Sequence, residues 1–92
     1  MSARRKTTVG VIFGGRSVEH DVSVVTGNQV MRAFDTEHFD VIPIYITREG
    51  RWYTGDPLFD LKNYRDEIVS FKGVEEVILS PTVQHHGISV MM

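Results

Sequence analysis

Apolar residues gather early in the chain, where Val9, Val11, Ile12 and Phe13 form a short, mostly β-branched run that stops at Gly14-Gly15. Such a run suits a buried strand, and a glycine pair lets the backbone turn sharply without Cβ clashes. Beyond the turn, Asp21, Asn28, Arg32 and Asp35 are separated by seven, four and three positions, which lines them along one side of a helix over 21–35. Val22, Val24 and Val25 favour strand locally, but the polar stripe favours helix. Val18, Val22, Val25, Val30, Met31, Ala33 and Phe34 take most of the remaining circumference. The pattern predicts a helix buried over most of its surface, against more than one sheet face or against a domain beyond this chain.

Phe39 to Thr47 reads as a second strand, with Pro43 at an edge, a bulge or a non-bonded position because it cannot donate to a ladder. Thr47-Arg48-Glu49-Gly50-Arg51 leads into Trp52 and Tyr53, and its glycine suits the left-handed residue of a hairpin loop. Gly55-Asp56-Pro57 breaks the chain, and Leu58 to Asp66 has the mixed polarity of a loop or short helix. Val74 to Leu79, stopped by Ser80-Pro81, is a third strand candidate; Ile88 to Met92 is a fourth, after the polar connection Thr82 to Gly87. Strand, helix, strand at the start implies a right-handed βαβ unit with a parallel pair, and the later strands read as hairpin additions.

Ninety-two residues suffice for one small domain. The closing alternation Ile88 to Met92 stops inside a strand pattern, so a fragment of a longer protein is expected. The net charge of −2 and the scatter of the basic residues, ten in all with Arg4-Arg5-Lys6 their one short cluster, leave no positive stripe for a phosphate backbone, which argues against nucleic acid as partner. Without cysteine there is neither a disulfide framework nor a thiolate metal site. The run after Arg4-Arg5-Lys6 is too short for a signal peptide, and no segment approaches the roughly 20 apolar residues of a membrane helix. A soluble, cytoplasmic protein is the expectation.

Gly10, Gly15, Arg16 and Ser17 nearly match the phosphate-loop pattern G-x-x-x-x-G-K-[ST]. The intervening positions should form the loop itself, whereas Val11, Ile12 and Phe13 are strand residues, and arginine does not reproduce the compact lysine ammonium. The G-x-G-x-x-G fingerprint is absent. What remains is a glycine turn that delivers a helix N-terminus carrying Ser17, Glu19 and His20. Ser17 suits a cap, and Glu19 either favours the helix dipole or, at the C-terminal end of a parallel strand, grips an ammonium. His20 lacks a paired ligand at helical spacing, and the adjacent His85-His86 have poor geometry for joint chelation, so no metal is assigned. Trp52 and Tyr53, with Tyr45 and Phe39, read as hairpin core.

The segment GGRSVEHDVSVVTGNQV, Gly14 to Val30, resembles the N-terminal signature of the D-alanine:D-alanine ligases, and VIPIYITREGRWY resembles their second strand and hairpin. VILSP near the end is similar to a further family strand. The resemblance implies a Rossmann-like α/β pre-ATP-grasp domain over 1–92, with a small parallel sheet, a flanking helix and a β-hairpin extension. It implies that the central and C-terminal ATP-grasp domains are missing. In that family ATP, with magnesium or manganese, phosphorylates one D-alanine, and a second D-alanine attacks the acyl phosphate to give the dipeptide used for peptidoglycan.

Carried over residue by residue, the resemblance gives Glu19 the ammonium of the first D-alanine, flanked by Ser17 and His20, with Val22 as an apolar wall near the methyl. Gly14 and Gly15 shape the loop and leave room for ligand. The family's next signature, a histidine-glycine pair leading to Gly-Glu-Asp-Gly, is not found, since His86-Gly87 runs into Ile88-Ser89-Val90. The ATP-grasp lysines, magnesium carboxylates, and the arginine and serine-tyrosine partners are absent as well. The resemblance implies an inactive fragment that binds no cofactor by itself, a homodimeric full-length enzyme, and a second substrate (D-alanine, D-lactate or D-serine) chosen elsewhere. The competing classes are a stand-alone amino-acid-binding module or split-ligase subunit, and a phosphate-loop nucleotide switch.

Overall fold

The computed structural model describes residues 6–78 with their side chains and the backbone of 88–91. Five strands form one sheet in the order β4-β3-β2-β1-β5: β1 is Thr7–Gly14, β2 Phe39–Ile46, β3 Trp52–Thr54, β4 Glu75–Glu76 and β5 Ile88–Met91. Helix α1, His20–Ala33, connects the parallel pair β1 and β2, in which Thr7 lies opposite Phe39 and Gly14 opposite Ile46. The expected α/β unit, with its parallel sheet, helix and hairpin, is present.

Period-2 alternation sends Val9, Val11 and Phe13 of β1 to the same face, where each is at least nine-tenths buried. Val24 and Met31 of α1 meet them there, with Tyr45 of β2 beside Phe13 at a ring separation of 5.8 Å. The remainder of this core comes from residues 56–70, which include the loop or short helix expected over Leu58 to Asp66. These residues form three short 3-10 turns, Asp56–Phe59, Leu61–Arg65 and Ile68–Ser70. Leu58 is wholly buried, Ile68 nearly so, and Tyr64 stacks edge-on against Tyr45 at 5.3 Å.

Several expectations change. The helix buries His20, Val24, Gly27, Asn28 and Met31, whereas Val18 just before it and Val22 and Val25 within it are 98%, 63% and 42% exposed. Asn28 leaves the proposed polar stripe because its amide donates to the Val24 carbonyl (3.0 Å), which offsets part of the cost of burial. Of the apolar positions expected to be buried, Val18, Val22, Val25 and Ala33 are exposed, Val30 and Phe34 are partly buried against the core, and Met31 is buried. The strand candidate at 74–79 contracts to Glu75–Glu76, antiparallel to β3, and Leu79 lies outside the described residues, as do Ser80-Pro81, His85-His86, the connection 82–87 and Met92. β5 is not a hairpin addition: it pairs parallel with β1, Thr8 opposite Ile88 and Val11 opposite Met91.

Pro43 lies in a central strand, at a non-bonded position. The amide and carbonyl sides of one strand residue point the same way, and β3 pairs only with Tyr45 and Ile46, so the missing N–H costs no ladder bond. The Pro43 carbonyl accepts instead from the Thr54 hydroxyl at 2.7 Å. Trp52 and Tyr53 are half-buried and stand outside the main core cluster, while Tyr45 belongs to it. The hairpin loop forms as expected, with Gly50 at φ +92° and Thr47 N–H donating to the Arg51 carbonyl at 2.8 Å.

Helix and strand touch most closely at Gly27, where a Cβ would stand 2.6 Å from Cβ and Cγ of Phe13. Gly27→Ala is expected to lower stability by about 1–2 kcal/mol, overpacking outweighing the roughly 1 kcal/mol that alanine gains in a helix. Urea unfolding checks this through a lower midpoint at unchanged slope. A stabilised variant would contradict the close crossing.

Candidate functional site

The shared register of β1 and β2 brings both C-terminal ends to one level, and the glycine turn leaves the sheet there. Gly14 (φ +93°) and Gly15 (φ +104°) adopt backbone that side chains rarely tolerate. A Cβ on Gly14 would stand 2.3 Å from the Ile46 carbonyl oxygen, whereas beside Gly15 there is open space. Gly15 N–H donates to the Ile46 carbonyl at 2.8 Å, and Gly14 N–H to the Ser23 hydroxyl at 2.9 Å. The turn is thereby tied to β2 on one side and to the first turns of α1 on the other.

Ser17, Val18 and Glu19 follow as an exposed loop. The Ser17 hydroxyl accepts from Glu19 N–H at 3.0 Å, and the Ser17 carbonyl accepts from His20 N–H at 3.0 Å. Ser17 thus closes the turn before the helix instead of capping it, and the N-cap position falls to Glu19, whose side chain makes no capping bond. The Glu19 carboxylate is left available at the helix start, where the partial positive charge of the dipole favours it.

Glu19 lines a cavity of about 320 Å³ between α1 and β1, together with Val11, Phe13, Val22, Ser23 and Thr26. Mostly apolar walls with a single carboxylate define a place for a small molecule with one cationic and one apolar part. In strand order, the chain leaves β1 for β2 on one side and returns to β5 on the other. The cavity runs along α1 from Glu19 to Val30 over the second half of β1, the strand where the winding reverses, and Glu19 marks its end near the carboxyl side, where open α/β sheets bind ligands.

The sequence-expected residues separate into two groups. Glu19 and Val22 share the cavity, with Ser17 and the glycine pair forming the loop beside it. His20 lies on the other side, 4% exposed, with Nδ1 2.6 Å from the Gly15 carbonyl oxygen and Nε2 2.8 Å from the Tyr45 hydroxyl. Sequence reasoning missed Tyr45 as a polar partner and Ser23 as the acceptor for Gly14. It also missed the hairpin's grip on the loop: Arg16 donates to the Glu49 carbonyl at 3.0 Å and Arg48 pairs with Asp21 at 2.8 Å. The serine in the helix was a visible signal; the Tyr45 contact spans 25 positions and left none.

The near-match to a phosphate loop fails structurally. Val11 to Gly14 are residues of β1, paired with Pro43 to Ile46, and so cannot wrap a phosphate. Among the described residues no three histidine, aspartate or glutamate side chains gather as a metal site, and no helix is long and apolar enough to cross a membrane.

Residues 8–88 match the family described as D-ala D-ala ligase N-terminus. The chain belongs to this family. D-alanine--D-alanine ligases resemble this D-ala D-ala ligase N-terminus domain at 45% identity over 58 residues in Thermosipho melanesiensis, covering 63% of this chain and 16% of the relative. In Geobacillus kaustophilus the identity is 58% over 53 residues, 58% of this chain and 14% of the relative. Among solved structures, the D-alanine-D-alanine ligase from Coxiella burnetii matches with TM-score 0.72 and 26% identity over 85% of this chain and 22% of its own. The VanG D-Ala:D-Ser ligase from Enterococcus faecalis matches with TM-score 0.67 and 32% identity over 83% and 22%. The chain thus spans a small part, from about one-seventh to one-fifth, of the proteins it matches.

Burial raises the phenols of Tyr45 and Tyr64 above their ordinary value of 10.0. A group that keeps its proton longer when folded stabilises the fold below its unfolded pKa and loses that contribution as pH rises. Urea-unfolding stability is expected to fall as pH climbs past about 10. Tyr64→Phe should flatten that fall while costing about 1 kcal/mol at neutral pH for the lost 2.8 Å bond to the Leu58 carbonyl. Identical alkaline slopes in both proteins would refute the assignment to Tyr64.

Proposed function

We propose that this chain is the N-terminal, first-substrate part of an ATP-dependent D-alanine:D-alanine ligase and that Glu19 grips the ammonium of the first D-alanine. The observation that carries this is the Glu19 carboxylate, free of hydrogen-bond partners within its own helix cap, at the end of an apolar cavity near the carboxyl side of β1. Family membership supports it independently. An ammonium offers donors only and an ionised carboxylate acceptors only, so the pair is charge-assisted and directional. Val22 supplies the apolar wall for the methyl, Ser17 orders the loop that carries Glu19, Gly14 makes the turn, and Gly15 leaves space beside the ligand.

The described residues do not suit ATP or its magnesium or manganese. The glycine segment is strand up to Gly14, and no metal-type side chains converge among them. Phosphorylation of the D-alanine carboxylate, and attack by the second amine with departure of phosphate, belong to ATP-grasp domains outside this chain. So do the choice of second substrate and the remaining partners of the acyl phosphate. The exposed valines at 18, 22 and 25 are the surface those domains would cover, in a cytoplasmic, homodimeric enzyme of cell-wall peptidoglycan synthesis.

The isolated chain is expected to show no ATP-dependent D-alanine ligation; phosphate release driven by D-alanine would contradict this. Grafted in place of the matching segment of the Geobacillus kaustophilus relative, it should support dipeptide formation. There, Glu19→Gln should raise KM for the first D-alanine about 10- to 100-fold, the loss of one charge-assisted contact. An active graft whose KM ignores Glu19→Gln would refute the ammonium assignment. A graft that binds D-alanine without turnover would favour the stand-alone binding module.

A further inference from the structure

We propose that His20 is a positioning residue, which as its Nδ1–H tautomer latches the Gly15 carbonyl to the Tyr45 hydroxyl and so fixes the loop that presents Glu19. The tautomer follows from the partners. A carbonyl oxygen can only accept, so the nitrogen 2.6 Å from Gly15 O carries the hydrogen. In the neutral ring Nε2 is then the acceptor, and at 2.8 Å it takes the Tyr45 hydroxyl hydrogen.

The latch adds to the Gly14 and Gly15 amide bonds that tie the turn to α1 and β2, and to the exposed Arg16 contact at the outer edge of the loop. Gly15 has no neighbour around its Cβ direction, its φ of +104° lies in the left-handed half of backbone space, and Arg16 to Glu19 are exposed. His20 grips this segment twice, through the ring at Gly15 O and through its own N–H at Ser17 O, closing residues 15–20 into a loop of defined shape. Its far end is anchored in the core, since Tyr45 is 8% exposed and packs against Phe13 and Tyr64. The Tyr45 phenol, raised by burial further above its ordinary 10.0, is protonated near neutral pH and can be the donor. With both ring nitrogens engaged inside the fold, His20 acts on the substrate through the loop. This second step rests on the reading of Glu19 as the ammonium ligand; the latch itself does not.

Nitrogen-15 NMR of the 92-residue chain tests the latch directly. At pH 7.5 His20 should show a pyrrole-type Nδ1 and a pyridine-type Nε2; the Nε2–H tautomer would overturn the proposal. His20→Leu should speed amide exchange at Gly15 and Glu19 about fivefold, one neutral hydrogen bond, while core amides of β1 and β2 stay as protected as before. His20→Asn, whose amide nitrogen replaces the Nδ1 donor but which has no atom in the place of Nε2, should restore part of the protection. Unchanged loop exchange in His20→Leu overturns the proposal, and so does failure of His20→Asn to restore any of it. If His20→Leu does not fold, the wild-type tautomer and the Tyr45→Phe variant still decide: that variant should keep the Nδ1–H tautomer set by the Gly15 carbonyl and speed loop exchange by freeing the far end of the latch, and unchanged loop exchange in it overturns the proposal. In the active graft, His20→Leu should raise KM for the first D-alanine about fivefold with kcat held, and His20→Asn should rescue part of the loss. A latch confirmed by NMR beside a KM insensitive to Glu19→Gln would discard the ammonium reading alone.

Discussion

The contact between Gly27 and Phe13 sets the distance at which α1 crosses β1, and most of the site follows from that distance. A hydrogen in place of a side chain lets the helix backbone settle onto the Phe13 ring. The first turn of the helix then lies low enough for the Ser23 hydroxyl to reach Gly14 N–H and for the His20 ring to pass under the glycine turn. Move the helix outward by the width of a methyl group and both contacts lengthen beyond hydrogen-bonding range. Core packing and site geometry are therefore one constraint, with the close crossing at one end and the Glu19 loop at the other.

The strand–turn–helix–strand unit was legible because each part carries a local signal. The β-branched run, the glycine pair and the hairpin glycine each prescribe a backbone conformation within a few residues. Asn28 misled because a polar residue ordinarily marks the solvent side, while here its amide donates to a helix carbonyl one turn back and the residue faces the core. The three 3-10 turns were not specified because Leu58-Phe59 and Ile68-Val69, the short apolar pairs that anchor them, are separated by mostly polar residues and set no period. The parallel placement of β5 was hidden for a different reason: strand order is set by which edge is free, and nothing within Ile88 to Met91 specifies it.

At the site, sequence identified Ser17, Glu19, His20 and Val22 as a group, and the fold divides them by direction. Successive residues at a helix start point about 100° apart, so neighbours in sequence need not face the same ligand. Glu19 and Val22, three apart, share the cavity, while His20 turns beneath the loop toward Tyr45. Tyr45 could be assigned to the core from its neighbours, but its hydroxyl's task depends on a partner from another element. That kind of information resides in register: Tyr45 lies opposite Phe13 at the end of the parallel pair, one step before the turn that His20 must hold.

Two tethers of different character act on the same short loop. The hairpin contacts, Arg16 to the Glu49 carbonyl and Arg48 to Asp21, are exposed and so contribute little, on the order of 1 kcal/mol or less each, and weaken with salt in the case of the ion pair. The His20 contacts are buried at Tyr45 and part-buried at Gly15, where a hydrogen bond meets less competition from solvent and an unmade one is costly. The His20 pair thus helps set the loop's conformation, and the exposed pair restrains its outer edge. For the ammonium contact proposed for Glu19, such an arrangement orders the loop in advance and so removes that entropy cost from the binding step.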